Sequence, residues 1–128
     1  MKLEHIGIWT KNLEAMKDFY VTHFDLNCNE KYINDTKGFS SYFLSFESGA
    51  RLELMHKADI SELPGKRGMN YGMAHMAFSL ESESSVLELT EKLRALGIRI
   101  IGEPRTTGDG YFESIIEDPE GNWIELTA

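Results

Sequence analysis

Two stretches far apart in the chain share one rhythm of apolar and polar positions. Residues 3–9 (LEHIGIW) and residues 73–80 (MAHMAFSL) both alternate with a period of two, the spacing of a strand with one buried face. Each leads into a segment whose apolar residues recur every three to four positions, as on one side of a helix. Leu13, Met16 and Phe19 or Tyr20 form the first stripe, behind Asn12, a residue suited to cap a helix N-terminus. Val86, Leu89, Leu93 and Leu96 form the second, within SESSVLELTEKLRALG. There Ser85 and Glu88 have the spacing of a capping box and Gly97 supplies a stop. Three strand-like stretches follow each helix. They are Cys28–Asn34, Phe39–Phe46 and Arg51–His56 in the first half, then Ile98–Gly102, Tyr111–Glu117 and Asn122–Thr127 in the second. Turn chemistry separates the last pair in each half, at Glu47-Ser48-Gly49-Ala50 and at Asp118-Pro119-Glu120-Gly121. Both halves therefore read β-α-β-β-β.

The chain is thus an internal duplication, an α+β unit of two tandem βαβββ modules at about 1–57 and 73–128 within one domain, 1–128. Residues 58–72, rich in Gly, Pro and mixed charge, read as a linker or a mobile loop. Aligning the first strands pairs His5 with His75, and aligning the last pairs Glu53 with Glu125. Alternation puts His5 with Gly7 and Trp9, and Glu53 with Arg51 and Met55, opposite the aliphatic positions that would face a helix. His75 and Glu125 lie likewise, the latter with Trp123 and Thr127, so four polar groups are expected on one face of a curved sheet. A lone His or Glu on a strand is usually a solvated residue. The matched pairs are more telling, because their neighbours differ: Trp9 corresponds to Ser79 and Arg51 to Trp123, while the His and Glu persist.

Two imidazoles and two carboxylates suit Ni²⁺, Zn²⁺, Co²⁺, Fe²⁺ or Mn²⁺ and are too nitrogen-rich for a Ca²⁺ or Mg²⁺ cage. Four ligands on a six-coordinate ion leave room for water or a bidentate substrate, which is the signature of a catalytic site. Trp9 and Trp123 are candidates to wall in a substrate, and Arg51, His56 and Lys57 to bind a substrate or cofactor carboxylate. Lys66 and Arg67 belong to a possible lid. Composition narrows the partners. A net charge of −8 and a pI of about 4.9, without a basic cluster, argue against nucleic acid. No apolar run is long enough to span a membrane, and no export signal opens the chain. The single cysteine, Cys28, fits a reducing cytoplasm and reads as a small apolar residue.

The duplication, together with EHIGIWTKNLEAMKDFY, RLEL, GMAHMAFSL and the closing DPEGNWIEL, resembles the vicinal oxygen chelate superfamily, which includes glyoxalases, bleomycin-resistance proteins and extradiol dioxygenases. The set His5, Glu53, His75 and Glu125 is most similar to that of glyoxalase I. The resemblance implies a metal held in a cup of curved mixed sheets, often completed by a second subunit, hence a homodimer. It also implies a lyase or isomerase acting on a hemithioacetal or related α-hydroxycarbonyl. Glu125, with Glu53 as partner, would abstract a proton, and the metal would stabilise the enediolate. Trp9 stands where relatives commonly carry arginine, and His56-Lys57 stands where they tend to have asparagine; both departures point away from glutathione as the thiol. The alternatives are a non-catalytic binder of resistance type, or another enzyme of the superfamily such as an epimerase or a dioxygenase.

Overall fold

The structure is a computed structural model and describes residues 1–62 and 64–128. Leu63, within the segment read as a linker, lies outside the described residues. The chain divides into two compact units, Met1–Glu62 and Leu63–Ala128, each built on one mixed sheet.

In the first unit, β1 (His5–Trp9) leads into helix α1 (Leu13–Phe24), followed by β2 (Asn27–Cys28), β3 (Tyr32–Asn34), β4 (Phe39–Ser45) and β5 (Arg51–Lys57). The stretch expected as one strand over Cys28–Asn34 is two short ones, both antiparallel to β4. Sheet order is β1-β5-β4-β2, with β3 also on β4. The first and last strands of the unit are parallel neighbours, His5 opposite Arg51 and Gly7 opposite Glu53. Asn12 caps α1 as expected, its side chain accepting from Ala15 N. Leu13, Met16, Phe19 and Tyr20 are buried, and so are Ile8, Leu44, Leu52 and Leu54 of the sheet. The aliphatic positions thus form the core, which leaves the alternate positions to the other face.

The second unit repeats the plan: β6 (Met76–Ser79), α2 (Glu83–Ala95), β7 (Ile100–Thr106), β8 (Phe112–Glu117) and β9 (Trp123–Thr127). Its order is β6-β9-β8-β7, again with first and last strands parallel. The core is Met76, Phe78, Val86, Leu93, Ile116, Ile124 and Leu126. Two expectations are corrected here. The helix cap is Ser82, whose hydroxyl accepts from Ser85 N at 3.2 Å; the Ser85/Glu88 spacing fell one turn inside the helix. Leu96 is 60% exposed because the helix ends at Ala95. Its place in the buried stripe goes to Thr90, whose hydroxyl meets Val86 O at 2.6 Å and Ser114 Oγ at 2.7 Å. Gly97 does close the helix, at φ +81, with Ile98 N bonded to Leu93 O and Gly97 N to Arg94 O, the paired bonds of a Schellman motif.

The turn Asp118-Pro119-Glu120-Gly121 is organised by a buried carboxylate. Asp118 accepts from Glu120 N, Asn122 N and Asn122 Nδ2 at 2.6–2.9 Å, satisfying the backbone donors where the chain reverses. Arg67 also joins this turn, at 3.0 Å from Asn122 Oδ1, so the described part of the Gly-rich segment after Leu63 packs onto the second unit. Gly68 lies against the indole of Trp123, where a Cβ would fall 2.2 Å from Cδ2.

Candidate functional site

Each unit brings its own histidine to its own glutamate. His5 opens β1, and Glu53 lies mid-way along the adjacent β5, opposite Gly7. Because paired residues share a face, His5 and Glu53 point the same way, with Nε2 and Oε2 3.6 Å apart. In the second unit His75 sits one residue ahead of β6 rather than on it. Its Nε2 is 3.3 Å from Glu125 Oε2. The expected mixed sheets are two, one per unit, each presenting a His–Glu pair. The glutamate side chains are 16% and 15% exposed and the imidazoles about 40%, so each carboxylate is recessed beneath a more open ring.

Around Glu125 the second unit adds a carboxylate that alternation alone did not single out. Glu113 on β8 is opposite Thr127 and so shares the face of Glu125. It is buried, and Arg105 Nη2 reaches it at 3.0 Å. Burial, and then the negative charge and hydrogen bond of Glu113, push the Glu125 carboxyl above its ordinary value, while His75 and Arg105 oppose the rise. The clue lay in FESIIE, whose odd-numbered residues share the parity of Trp123, Glu125 and Thr127. It becomes readable only with the β8–β9 register. Two buried polar atoms on the same face of β9, Trp123 Nε1 and Thr127 Oγ1, have no hydrogen-bond partner among the described residues. Such atoms are uncommon in a folded chain.

The other candidates are placed as follows. Trp9 is 38% exposed and meets Phe39 edge-on at 6.1 Å, and Phe39 in turn meets Tyr32 at 6.1 Å; all three lie on the His5–Glu53 face by register. Arg51 donates to Glu4 Oε1 from Nε and Nη2 at 2.8 and 2.5 Å and stacks over Phe43 at 4.2 Å. Lys57 pairs with Asp59 at 2.7 Å. His56 shares parity with Leu52 and Leu54, and its Nδ1 is 2.9 Å from Thr10 O, which takes it off the candidate face. Arg67 is engaged by Asn122 and, at 4.0 Å, by Glu120. Cys28 is exposed, not packed as a small apolar residue, and partial desolvation of its sulfur raises the thiol pKa, which disfavours thiolate chemistry.

Among the described residues no group of three or more His, Cys, Asp and Glu side chains could hold a metal ion. The donors come as imidazole–carboxylate pairs, each of a kind that transition ions accept. The donor chemistry of each pair therefore fits a divalent transition metal. No helix is long and apolar enough to cross a membrane.

Comparison with known proteins agrees with this architecture. The chain is 28% identical over 129 residues to YqjT of Bacillus subtilis (strain 168), covering 98% of both proteins. It is also 28% identical to biphenyl-2,3-diol 1,2-dioxygenase 2 of Rhodococcus globerulus, spanning 61% of that enzyme. In fold it matches the trypanothione-dependent glyoxalase I of Leishmania major, with a TM-score of 0.78 at 22% identity over 98% of this chain and 85% of that one. The model of the glyoxalase/bleomycin resistance protein/dioxygenase superfamily matches residues 2–126. By that match over nearly its whole length, the chain belongs to the glyoxalase/bleomycin resistance protein/dioxygenase superfamily.

Proposed function

We propose that this protein is a metal-dependent lyase or isomerase of glyoxalase I type, acting on a hemithioacetal or related α-hydroxycarbonyl. The observation that carries the reading is the recurrence of one His–Glu pair at matched places in both units, at 3.6 and 3.3 Å. His5, Glu53, His75 and Glu125 would hold one divalent transition ion, either within a chain or across a homodimer. Bound there, the ion supplies the Lewis acidity that makes a hydrogen beside a carbonyl removable.

The protein residues divide the remaining work. Glu125 takes the proton from the hydroxyl-bearing carbon and returns it to the former carbonyl carbon, while the hydroxyl proton passes to the former carbonyl oxygen, so the net reaction is an isomerisation that balances without a co-reactant. Its environment supports that role, since burial and Glu113 both make the carboxylate a stronger base than an exposed one. Glu53 is its counterpart in the other unit. Trp9, Phe39 and Tyr32 supply an apolar wall that excludes water from a substrate on that face.

The test is metal content and turnover measured together. Purified protein is expected to take up about one Ni²⁺, Co²⁺ or Zn²⁺ per chain, and the His5→Ala/His75→Ala double variant to lose it. With methylglyoxal adducts of several thiols as substrates, Glu125→Gln is expected to hold metal yet lose about 10²–10⁴-fold in turnover, the usual worth of a proton-transfer group. Unchanged metal uptake in the double variant, or full turnover in both Glu125→Gln and Glu53→Gln, refutes the assignment. A second reading, a binder that sequesters an aromatic compound, draws on the Trp9–Phe39–Tyr32 wall; tight ligand binding without metal and without turnover would favour it.

A further inference from the structure

We propose that Glu4, held in place by Arg51, is a positioning residue that presets His5 for metal binding, so that the first unit carries the braced half of the site. The proposal rests on the metal reading above. His5 Nδ1 lies 2.5 Å from Glu4 Oε2, while its Nε2 faces Glu53 at 3.6 Å. The second distance is too long for a hydrogen bond. A neutral imidazole with one nitrogen bonded to a carboxylate keeps its proton there, because the carboxylate only accepts. In the neutral ring Nδ1 is therefore the protonated nitrogen, and the Nε2 lone pair is free on the Glu53 side. An unbraced imidazole carries its proton mainly on Nε2, where it blocks ligation.

Glu4 is itself fixed. Arg51 donates to its Oε1 from Nε and Nη2, and the Arg51 backbone N bonds Glu4 O at 2.9 Å. The guanidinium lies over the Phe43 ring, which also meets His5 edge-on at 5.4 Å. Arg51, Glu4, His5 and Phe43 thus form a closed set of contacts around the imidazole. The duplication provides an internal control. The positions matching Glu4 and Arg51 in the second unit are Ala74 and Trp123, and neither can act this way. The modules keep the ligand pair and differ in what stands behind it.

A stability role does not account for the cluster. Glu4 and Arg51 side chains are 54% and 39% exposed, and ion pairs so open contribute little to folding. What the arrangement fixes is the tautomer and the ring orientation, the task that outer carboxylates perform for ligating histidines.

Two measurements test this on the full chain. Nitrogen-15 NMR of the metal-free protein is expected to show the Nδ1–H form of His5, shifting toward Nε2–H in Glu4→Ala. Titration with Co²⁺ is expected to show a Kd weakened about 10–100-fold in Glu4→Ala, less in Arg51→Met, and partly rescued in Glu4→Asp. Thermal unfolding of the metal-free variants stays close to that of the unaltered protein, which separates positioning from a folding defect. An unchanged His5 tautomer together with an unchanged Kd in Glu4→Ala overturns the proposal. If the unaltered protein takes up no Co²⁺, the metal reading itself fails, a result distinct from an equal Kd in the variant.

Discussion

Replacing Gly68 with alanine is a one-carbon perturbation whose sign follows from two opposed terms. The added Cβ would sit 2.2, 2.4 and 2.7 Å from Cδ2, Cε3 and Cε2 of Trp123. Ordinary contact begins near 3.4 Å, so one partner must retreat by at least 3.4 − 2.2 = 1.2 Å. The indole is flat and rigid, its Nε1 is buried, and it cannot swing aside as a lysine tip would. The turn Arg67–Met69 must lift instead, straining the Arg67–Asn122 hydrogen bond at 3.0 Å. Overpacking of this kind costs about 1–3 kcal/mol. Against it stands the loss of unfolded-state freedom on replacing glycine, which stabilises by about 0.4–1 kcal/mol where the native backbone suits alanine. Gly68 is not among the positive-φ glycines, so that gain is available in full. The steric term wins, leaving a net loss of about 1–2 kcal/mol and a Tm lowered by about 3–8 °C. Thermal melts of Gly68→Ala, with tryptophan emission recorded in a Trp9→Phe background, give the readout: a lower Tm and a red-shifted Trp123. In a Trp123→Ala background the steric term vanishes, and the same substitution becomes neutral or slightly stabilising. An unchanged Tm and emission in the first background, or an equal loss in both, refutes the reasoning.

Two further predictions concern charge and capping. In metal-free protein, Glu125→Gln raises stability at neutral pH. The folded carboxyl titrates above its ordinary value of 4.5, so its favourable contribution is complete below that value and disappears as pH rises through the folded pKa. The gain of the variant over the parent should therefore shrink toward nothing as pH falls below about 4.5; melts in chelator across that range check it, and a pH-independent gain refutes it. At the start of α2, Ser82→Ala should cost about 1 kcal/mol in chemical denaturation and Ser85→Ala distinctly less, with the reverse order returning the cap to Ser85.

Much of this was legible in the residues because it depends on local periodicity. The period-two runs gave β1 and β6, the Leu13/Met16/Tyr20 stripe gave α1, and the repeat offset matched His5 with His75 and Glu53 with Glu125, whereas the proximity of each His to the Glu of its own unit comes from the strand pairing. Features set by strand register were not legible. Glu113 joins Glu125 only through the β8–β9 pairing, and Arg51, a candidate substrate ligand by sequence, turns back to Glu4 across the β1–β5 pair. The Gly68 contact joins a loop to a strand 55 residues later (123 − 68), and no short-range pattern announces it. The cap of α2 moved because three serines compete at 82, 84 and 85, and the choice among them is geometric.

The parallel pairing of first and last strands in each unit has a kinetic consequence. His5 and Glu53 are 48 residues apart and His75 and Glu125 are 50 (53 − 5 and 125 − 75), so each His–Glu pair is drawn from the two ends of its unit. Parallel neighbours of such separation form late, after the entropy of closing the intervening chain has been overcome. A nascent or partly unfolded unit therefore presents a histidine without its glutamate. On the metal-binding function proposed above, an ion would therefore discriminate against incomplete chains and stabilise only the finished fold, by mass action at its free concentration. Occupancy would then record completed folding, written by the order of the strands.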